Sequence, residues 1–358
     1  MTSSPSRPRA RRQLPFQDWP RNDRQAWAAL LVPGDALTEG GAAVGWAPNT
    51  LEQRRRAYAY WLCYLEDTGS LTPDLPPADR VTPESVRGYL ESLAGLGGNT
   101  VAMYLTNLHG VLQAMAPERD WLWLRRVRDR ILRTAEPRRP KSSRLQASSK
   151  LFAAGLAVMQ EAEATDTAAS SGQASGYRNG LIIALLAARP LRLHNLAMIT
   201  IGRHLLASGD GYQLCFEAAE TKTRQPLELP WPTALVPALE RYLRIHRPIL
   251  LQGQHSDRLW IGCTGVPLTC SALYQLIIRT TRTRLGTSIN PHLFRDAAAT
   301  SIAIEDPEHV RIAAAVLGHA TLRTTERYYN QAGMLDAGRQ HQKNLLALRR
   351  TLPSSTAE

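Results

Sequence analysis

Cysteine is scarce in this chain. Only Cys63, Cys215, Cys263 and Cys270 occur in 358 residues, and no two form a C-x-x-C pair. Such spacing argues against a disulfide framework and suits buried, unpaired thiols in a reducing compartment. No His or Cys cluster has metal-ligand spacing, so neither a zinc site nor any other metal site is expected. Long apolar runs are missing too. No stretch reaches the roughly 18 apolar residues of a membrane span. The N-terminal "MTSSPSRPRARRQLP" holds Arg7, Arg9, Arg11 and Arg12 with no apolar segment behind them, so it does not read as a secretory signal, and a cytoplasmic location is expected. Internal repeats are absent. Acidic residues are the minority: 31 Asp and Glu stand against 43 Lys and Arg, for a formal charge of +12 and a pI near 9.9. A chain this basic implies a polyanionic partner, with nucleic acid the first candidate and an anionic membrane surface the second.

What is present is mostly helical patterning. Residues 1–20 read as a disordered basic arm, whose bland alternative is a solubilising tail. Residues 21–136 read as a helical bundle. "TLEQRRRAYAYWLCYLEDTG" has apolar residues at helical intervals and ends on Gly69. "TPESVRGYLESLAG" opens with Thr82 as N-cap and Pro83 at the first helical position. "NTVAMYLTNLHGVLQAMAP" stops before Pro117. "RDWLWLRRVRDRILRTAE" is apolar on one side and basic on the other. Arg125 and Arg126 stand there beside Trp121 and Trp123, which favours a docking surface over simple solvation. Residues 137–150 are rich in Pro, Ser and basic side chains and read as an extended linker carrying Arg138, Arg139, Lys141 and Arg144.

A second domain is expected over 151–332. It starts helical, passes a flexible polar loop ("TDTAASSGQASG") and re-enters a helix. "GYQLCFEA" and "PLELPWP" then read as short strands flanking "AETKTRQ", a hairpin-like unit. From Thr233 the pattern is again mostly helical. The fold class expected is mainly α: a helical bundle followed by a mostly helical domain with a small antiparallel sheet.

Four patches in this second domain bear on chemistry. "ARPLRLHNLAMI" places Arg192 just before an apolar helix pattern. "ETKTRQPLELP" puts Lys222 at the hairpin tip. "NPHLFRDAAATS" spaces His292 and Arg295 three apart, on one face of a helix. "LGHATLRTTERYYN" holds His319 and, nine residues on, Tyr328. Each patch alone is a weak signal, since an arginine before a helix or a Gly-His step has ordinary structural uses.

Their order and spacing together resemble the catalytic signature of the tyrosine recombinases, the phage integrase family. The match is closest from "HLFRDAAATS" through "LGHATLRTTERYY", and the resemblance covers roughly residues 50–332. It implies a site-specific DNA recombinase that needs no cofactor. In such chemistry a tyrosine attacks the phosphorus of a DNA strand, a phosphotyrosine stores the bond, and a 5′-hydroxyl is released. By resemblance Arg192 and Arg295 bind the non-bridging oxygens, offering forked donors that stay ionised. His292 and His319 add hydrogen bonds, and one of them accepts the phenol proton, which tyrosine holds until a pH near 10. Lys222 donates a proton to the leaving oxygen. Tyr328 is the nucleophile; Tyr329, about 100° further round a helix, faces away. The bundle resembles the family's core-binding domain more loosely, with Arg125, Arg126, Arg138, Arg139, Lys141 and Arg144 as DNA-binding residues.

The implied partners are a double-stranded DNA recombination site, three further copies of the chain in a homotetramer, and accessory DNA-bending proteins. Residues 333–358 read as a C-terminal helix and tail. By resemblance this segment docks into a neighbouring protomer through Leu345, Leu346 and Leu348, the alternative being a cap over its own domain. Three departures from the family pattern stand out: Pro190 where Gly is usual, Asn195 where an acidic residue is usual, and Asp296 where His is frequent. Two other functions stay open at this point. A type IB topoisomerase uses much the same residues. A helix-turn-helix regulator would read "HVRIAAAVLGHATLRTTERYYN" as a docking motif and cut no strand.

Overall fold

The computed structural model describes residues 13–136, 144–164 and 170–305, the last four of these by backbone only. The chain divides into two compact units, Met1–Arg139 and Pro140–Glu358.

Among its described residues, the first unit has only helices as regular structure. Its helices are α1 (Arg21–Ala29), α2 (Pro48–Asp67), α3 (Pro83–Ser92), α4 (Gly98–Met115) and α5 (Leu122–Thr134). Thr82 caps α3 as the sequence predicts: its hydroxyl accepts from the Ser85 amide while the Ser85 hydroxyl accepts from the Thr82 amide. Gly69 follows α2 with φ +65°, a conformation glycine adopts without a Cβ penalty. The core gathers Tyr58, Trp61, Leu62 and Leu65 of α2 with Leu105, Leu108 and Leu112 of α4. Buried beside it, Asp23 of α1 accepts from the Tyr58 hydroxyl at 2.6 Å and pairs with Arg80.

Two expectations change here. Residues 13–20 are ordered, with Leu14 and Trp19 packed into the core, rather than part of a disordered arm. Leu14 and Trp19 are buried, Trp19 Nε1 donates to the Leu14 carbonyl, and the Trp19 ring meets Trp27 and Tyr58 edge-on. Two large apolar side chains in "LPFQDW" gain more from burial than the flanking charge costs. Residues 1–12 lie outside the described residues. Trp121 is not a docking aromatic either. It is buried, and its Nε1 donates to the Ala116 carbonyl at 2.9 Å.

The described residues of the second unit pack helices around one small sheet. α6 (Ser148–Glu163) and α7 (Ser171–Ala188) form its largest contact. They touch through Gly155 and Gly180: a Cβ on Gly155 would meet the Ala184 nitrogen at 2.5 Å, and one on Gly180 the Gly155 carbonyl at 2.6 Å. The apolar run "GLIIALLAA" makes α7 the central helix, with Leu181, Ile182, Ala184, Leu185 and Leu186 all fully buried. α8 (Leu193–Met198) follows. Strands β1 (Leu205–Ser208), β2 (Gly211–Phe216) and β3 (Leu227–Pro230) form an antiparallel sheet in the order β1-β2-β3.

Beyond the sheet, α9 (Val236–Arg241) runs through a π turn (Tyr242–His246) into α10 (Arg247–Leu251), then come α11 (Cys270–Leu285) and α12 (Pro291–Glu305). The π turn has a local cause. Pro248 lacks an amide hydrogen and its ring crowds the carbonyl four residues back, so the helix widens just before it.

The linker and the polar loop are shorter than the sequence predicts. α6 starts at Ser148, inside the expected linker. α7 starts at Ser171, because Ser170 accepts from the Gln173 amide and turns "SGQASG" into helix. Among the described residues, no helix is long and apolar enough to cross a membrane.

Candidate active site

The turn between α7 and α8 carries the first arginine. Leu191 donates its amide to the Arg189 carbonyl at 2.7 Å, closing a tight turn centred on Pro190, whose ring presets the backbone. Arg192 is the N-cap residue of α8 and is half-buried. Burial pulls its guanidinium below its ordinary pKa, though an arginine stays charged at neutral pH.

Arg295 arrives from α12. Its Nη1 donates to the Pro190 carbonyl at 2.6 Å, across 105 residues of sequence. The carbonyl it grips lies two residues before Arg192, so the two arginine blocks converge on one turn. Pro190 therefore keeps the acceptor available despite replacing the family's usual glycine. His292 stands one turn before Arg295 on the same side of α12. It is 69% exposed, with Nε2 3.8 Å from Asp296 Oδ1. Asp296 itself is buried.

Lys222 lies on the β2–β3 connection and is exposed. The connection is well built. Glu217 and Glu220 bracket a single 3-10 turn (Ala218–Glu220), the Glu217 amide donating to the Glu220 carboxylate. The buried Thr221 donates its hydroxyl to the Gln225 carbonyl at 2.7 Å and accepts from the Gln225 amide. Arg224 takes the left-handed backbone conformation at φ 52°, uncommon for a residue with a Cβ. Asn195 of α8, buried, donates its amide to the Glu220 carbonyl at 3.2 Å, which ties the Arg192 helix to this turn.

Arg192, Lys222, His292 and Arg295 thus all lie in the second unit, and hydrogen bonds link the segments that carry Arg192, Arg295 and Lys222. His319, Tyr328 and Tyr329 lie outside the described residues, as do Leu345, Leu346 and Leu348.

Of the expected DNA-binding residues, Arg125 and Arg126 are exposed on α5, whose other side buries Leu124. Arg144 is half-buried, and its Nε meets no acceptor among the described residues. Arg138, Arg139 and Lys141 lie outside the described residues. Arg54 of α2 was not singled out from the sequence. It stacks over Trp46 at 3.9 Å, beside Gly110, where a Cβ would come within 2.7 Å of the guanidinium. His109 is close by. Burial, then the charges of Arg128, Arg125 and Arg54, hold its imidazole below the ordinary histidine pKa. A signal existed in "EQRRRAYAYW", but only the packed bundle brings Arg54 to α4.

Comparison with known proteins bears on the family and the fold. A profile described as the phage integrase family matches residues 157–334. The tyrosine recombinase XerD of Staphylococcus saprophyticus is 26% identical over 155 residues, 43% of this chain and 50% of that protein. XerD of Pseudomonas aeruginosa is 37% identical over 91 residues, 25% of this chain and 30% of that protein. The match to these curated relatives spans half their length or less. Among solved structures, the XerH site-specific recombinase bound to difH substrate, in a pre-cleavage complex, superposes with a TM-score of 0.55 at 16% identity, covering 76% of this chain and 74% of that one. Its post-cleavage complex with palindromic difH gives 0.53 at the same identity, over 78% and 75%. These two show a shared fold. Residues 157–334 thus carry a phage integrase family domain, and the XerD relatives support a tyrosine recombinase.

Proposed function

We propose that this protein cleaves and rejoins double-stranded DNA at specific sites through a covalent 3′-phosphotyrosine. The observation that carries the reading is the hydrogen bond from Arg295 to the Pro190 carbonyl, which sets two arginines at one turn. Two half-buried guanidiniums there suit a phosphodiester whose charge grows in the transition state. The Tyr328 oxygen attacks phosphorus and the P–O5′ bond breaks. The departing O5′ takes a proton from Lys222, and the phenol proton passes to His292 or His319. A second 5′-hydroxyl then attacks the phosphotyrosine, reversing these transfers and freeing Tyr328. Bond energy is conserved, so the scheme needs neither metal nor nucleotide.

DNA is the partner that a charge of +12 and the exposed arginines of α5 support. Integration, excision or transposition of a mobile element, through four copies on DNA, is the biological setting we assign. Accessory DNA-bending proteins and docking of the C-terminal segment in a neighbouring copy belong to the same reading. The test is a nicked duplex that traps the cleaved strand, built from DNA flanking the gene and resolved on denaturing gels. A protein–DNA adduct lost with Tyr328→Phe but kept with Tyr329→Phe is expected. An adduct lost only with Tyr329→Phe would move the nucleophile by one residue. No adduct from the wild type, alongside salt-sensitive binding, would favour a DNA-binding regulator. Joining of two separate sites separates a recombinase from a topoisomerase.

A further inference from the structure

The Lys222 turn is held by a polar network that the catalytic set does not include. Glu220 stands two residues before Lys222 and is its centre. Glu220 Oε1 accepts from Arg203 Nη2 at 2.6 Å and lies 3.1 Å from His204 Nε2, while its other oxygen accepts from the Glu217 amide at 3.0 Å. His204 is buried at 1% exposure. Its Nδ1 accepts from the Thr200 amide at 3.1 Å, so the ring hydrogen on Nε2 points to Glu220. The Glu220 backbone carbonyl is also occupied, by the Asn195 side-chain amide. Asn195 is 2% exposed and stands three residues after Arg192. One residue therefore fastens the Lys222 turn to the segment before β1 through its side chain and to the Arg192 helix through its backbone. The contact with α8 requires a donor. A carboxylate at position 195, the usual family residue, has no hydrogen to give to a carbonyl, whereas the asparagine amide has two.

We propose that Asn195 and Glu220 are positioning residues that set Lys222 against the phosphate held by Arg192, an inference that rests on the function proposed above. Neither touches the reacting atoms. Their removal lets the turn drift, and general-acid catalysis falls steeply with a displacement of about 1 Å.

The experiment uses the full chain and two versions of the nicked duplex, one with the natural bridging 5′-oxygen and one with sulfur in its place. With sulfur the P–S bond breaks to a thiolate. Thiols titrate near pH 8.5, so this leaving group departs without a proton donor. On the oxygen substrate, Asn195→Asp and Glu220→Gln should each slow adduct formation roughly 10- to 100-fold. On the sulfur substrate both should come within about threefold of the wild type, in parallel with Lys222→Ala. A general loss of folding would depress both substrates equally.

Equal impairment on the two substrates, or none on either, overturns the positioning role. Failure of Lys222→Ala to recover on sulfur overturns it too, since no acid would then be positioned. If the wild type forms no adduct with either substrate, the recombinase reading itself falls and this inference falls with it.

Discussion

The two units place their buried polar networks to different ends. In the first, Asp23, Arg80 and Tyr58 are sealed in the bundle, and they join α1, the turn before α3 and α2 to one another. No exposed catalytic candidate hangs from them. In the second, Glu220, His204 and Asn195 surround a turn whose next residues reach Lys222, and the Arg295–Pro190 contact sits on the loop of Arg192. The first network is closed on itself and holds architecture. The second opens onto the surface at functional candidates and holds geometry. Cutting the first should cost stability, and cutting the second should cost chemistry.

The sharpest break is Asp23→Ala. It leaves the Arg80 charge buried without its carboxylate, which costs about 3–5 kcal/mol. Urea unfolding should show this loss, while Asp23→Leu combined with Arg80→Met recovers most of it. A small loss from the single variant would mean that water reaches Arg80 and the network is not sealed.

Arg295→Ala tests the other side of the comparison. Adduct formation should fall by roughly 10²–10³-fold, as for loss of one transition-state donor, with the urea midpoint shifted little. If the midpoint fell as far as with Asp23→Ala, the Pro190 contact would be architecture rather than site geometry.

Gly155→Ala asks how much the second unit depends on close helix contact. The new Cβ meets the backbone of α7 at 2.5 Å, and overpacking of this kind costs about 1–3 kcal/mol. Thermal melts should show it, while a bulk-preserving change on the exposed side of α6 leaves the melt in place.

The smallest effect is a titration. Folding lowers the His109 pKa, by burial first and by Arg128, Arg125 and Arg54 next. The unfolded chain therefore binds more protons in the window between the folded value and about 6.5. His109 contributes stability above pH 6.5 that is lost as pH falls through its folded pKa. DNA phosphates on this face would offset the arginine charges, so NMR titration should find the His109 pKa higher in the DNA complex. An unchanged value would place the DNA elsewhere.

Local signals made much of this legible in advance. The Thr82 cap, the Gly69 stop, the strands around Lys222 and the His292–Arg295 spacing all depend on neighbours within a few residues. β1 was missed, because "LLAS" is four residues long and shows no alternation. Trp121 was misjudged because flanking arginines say nothing of which way a ring faces. Pro190 looked like a departure in sequence, yet its carbonyl is the part that Arg295 uses. Asn195 looked like another, and its donor proves to match an acceptor 25 residues away.

The sequence by itself determined the helical class, the Thr82 cap and the Gly69 stop, the basic character and the order of the candidate residues. Those properties follow from periodicity, backbone preference and charge, each a matter of residue type and short spacing. Tertiary structure alone decided that Leu14 and Trp19 join a core, that Arg54 approaches α4, and that Glu220 ties the Lys222 turn to the Arg192 helix. Such pairings join groups far apart in the chain. They become favourable only when burial removes the competing water, and no local pattern records them.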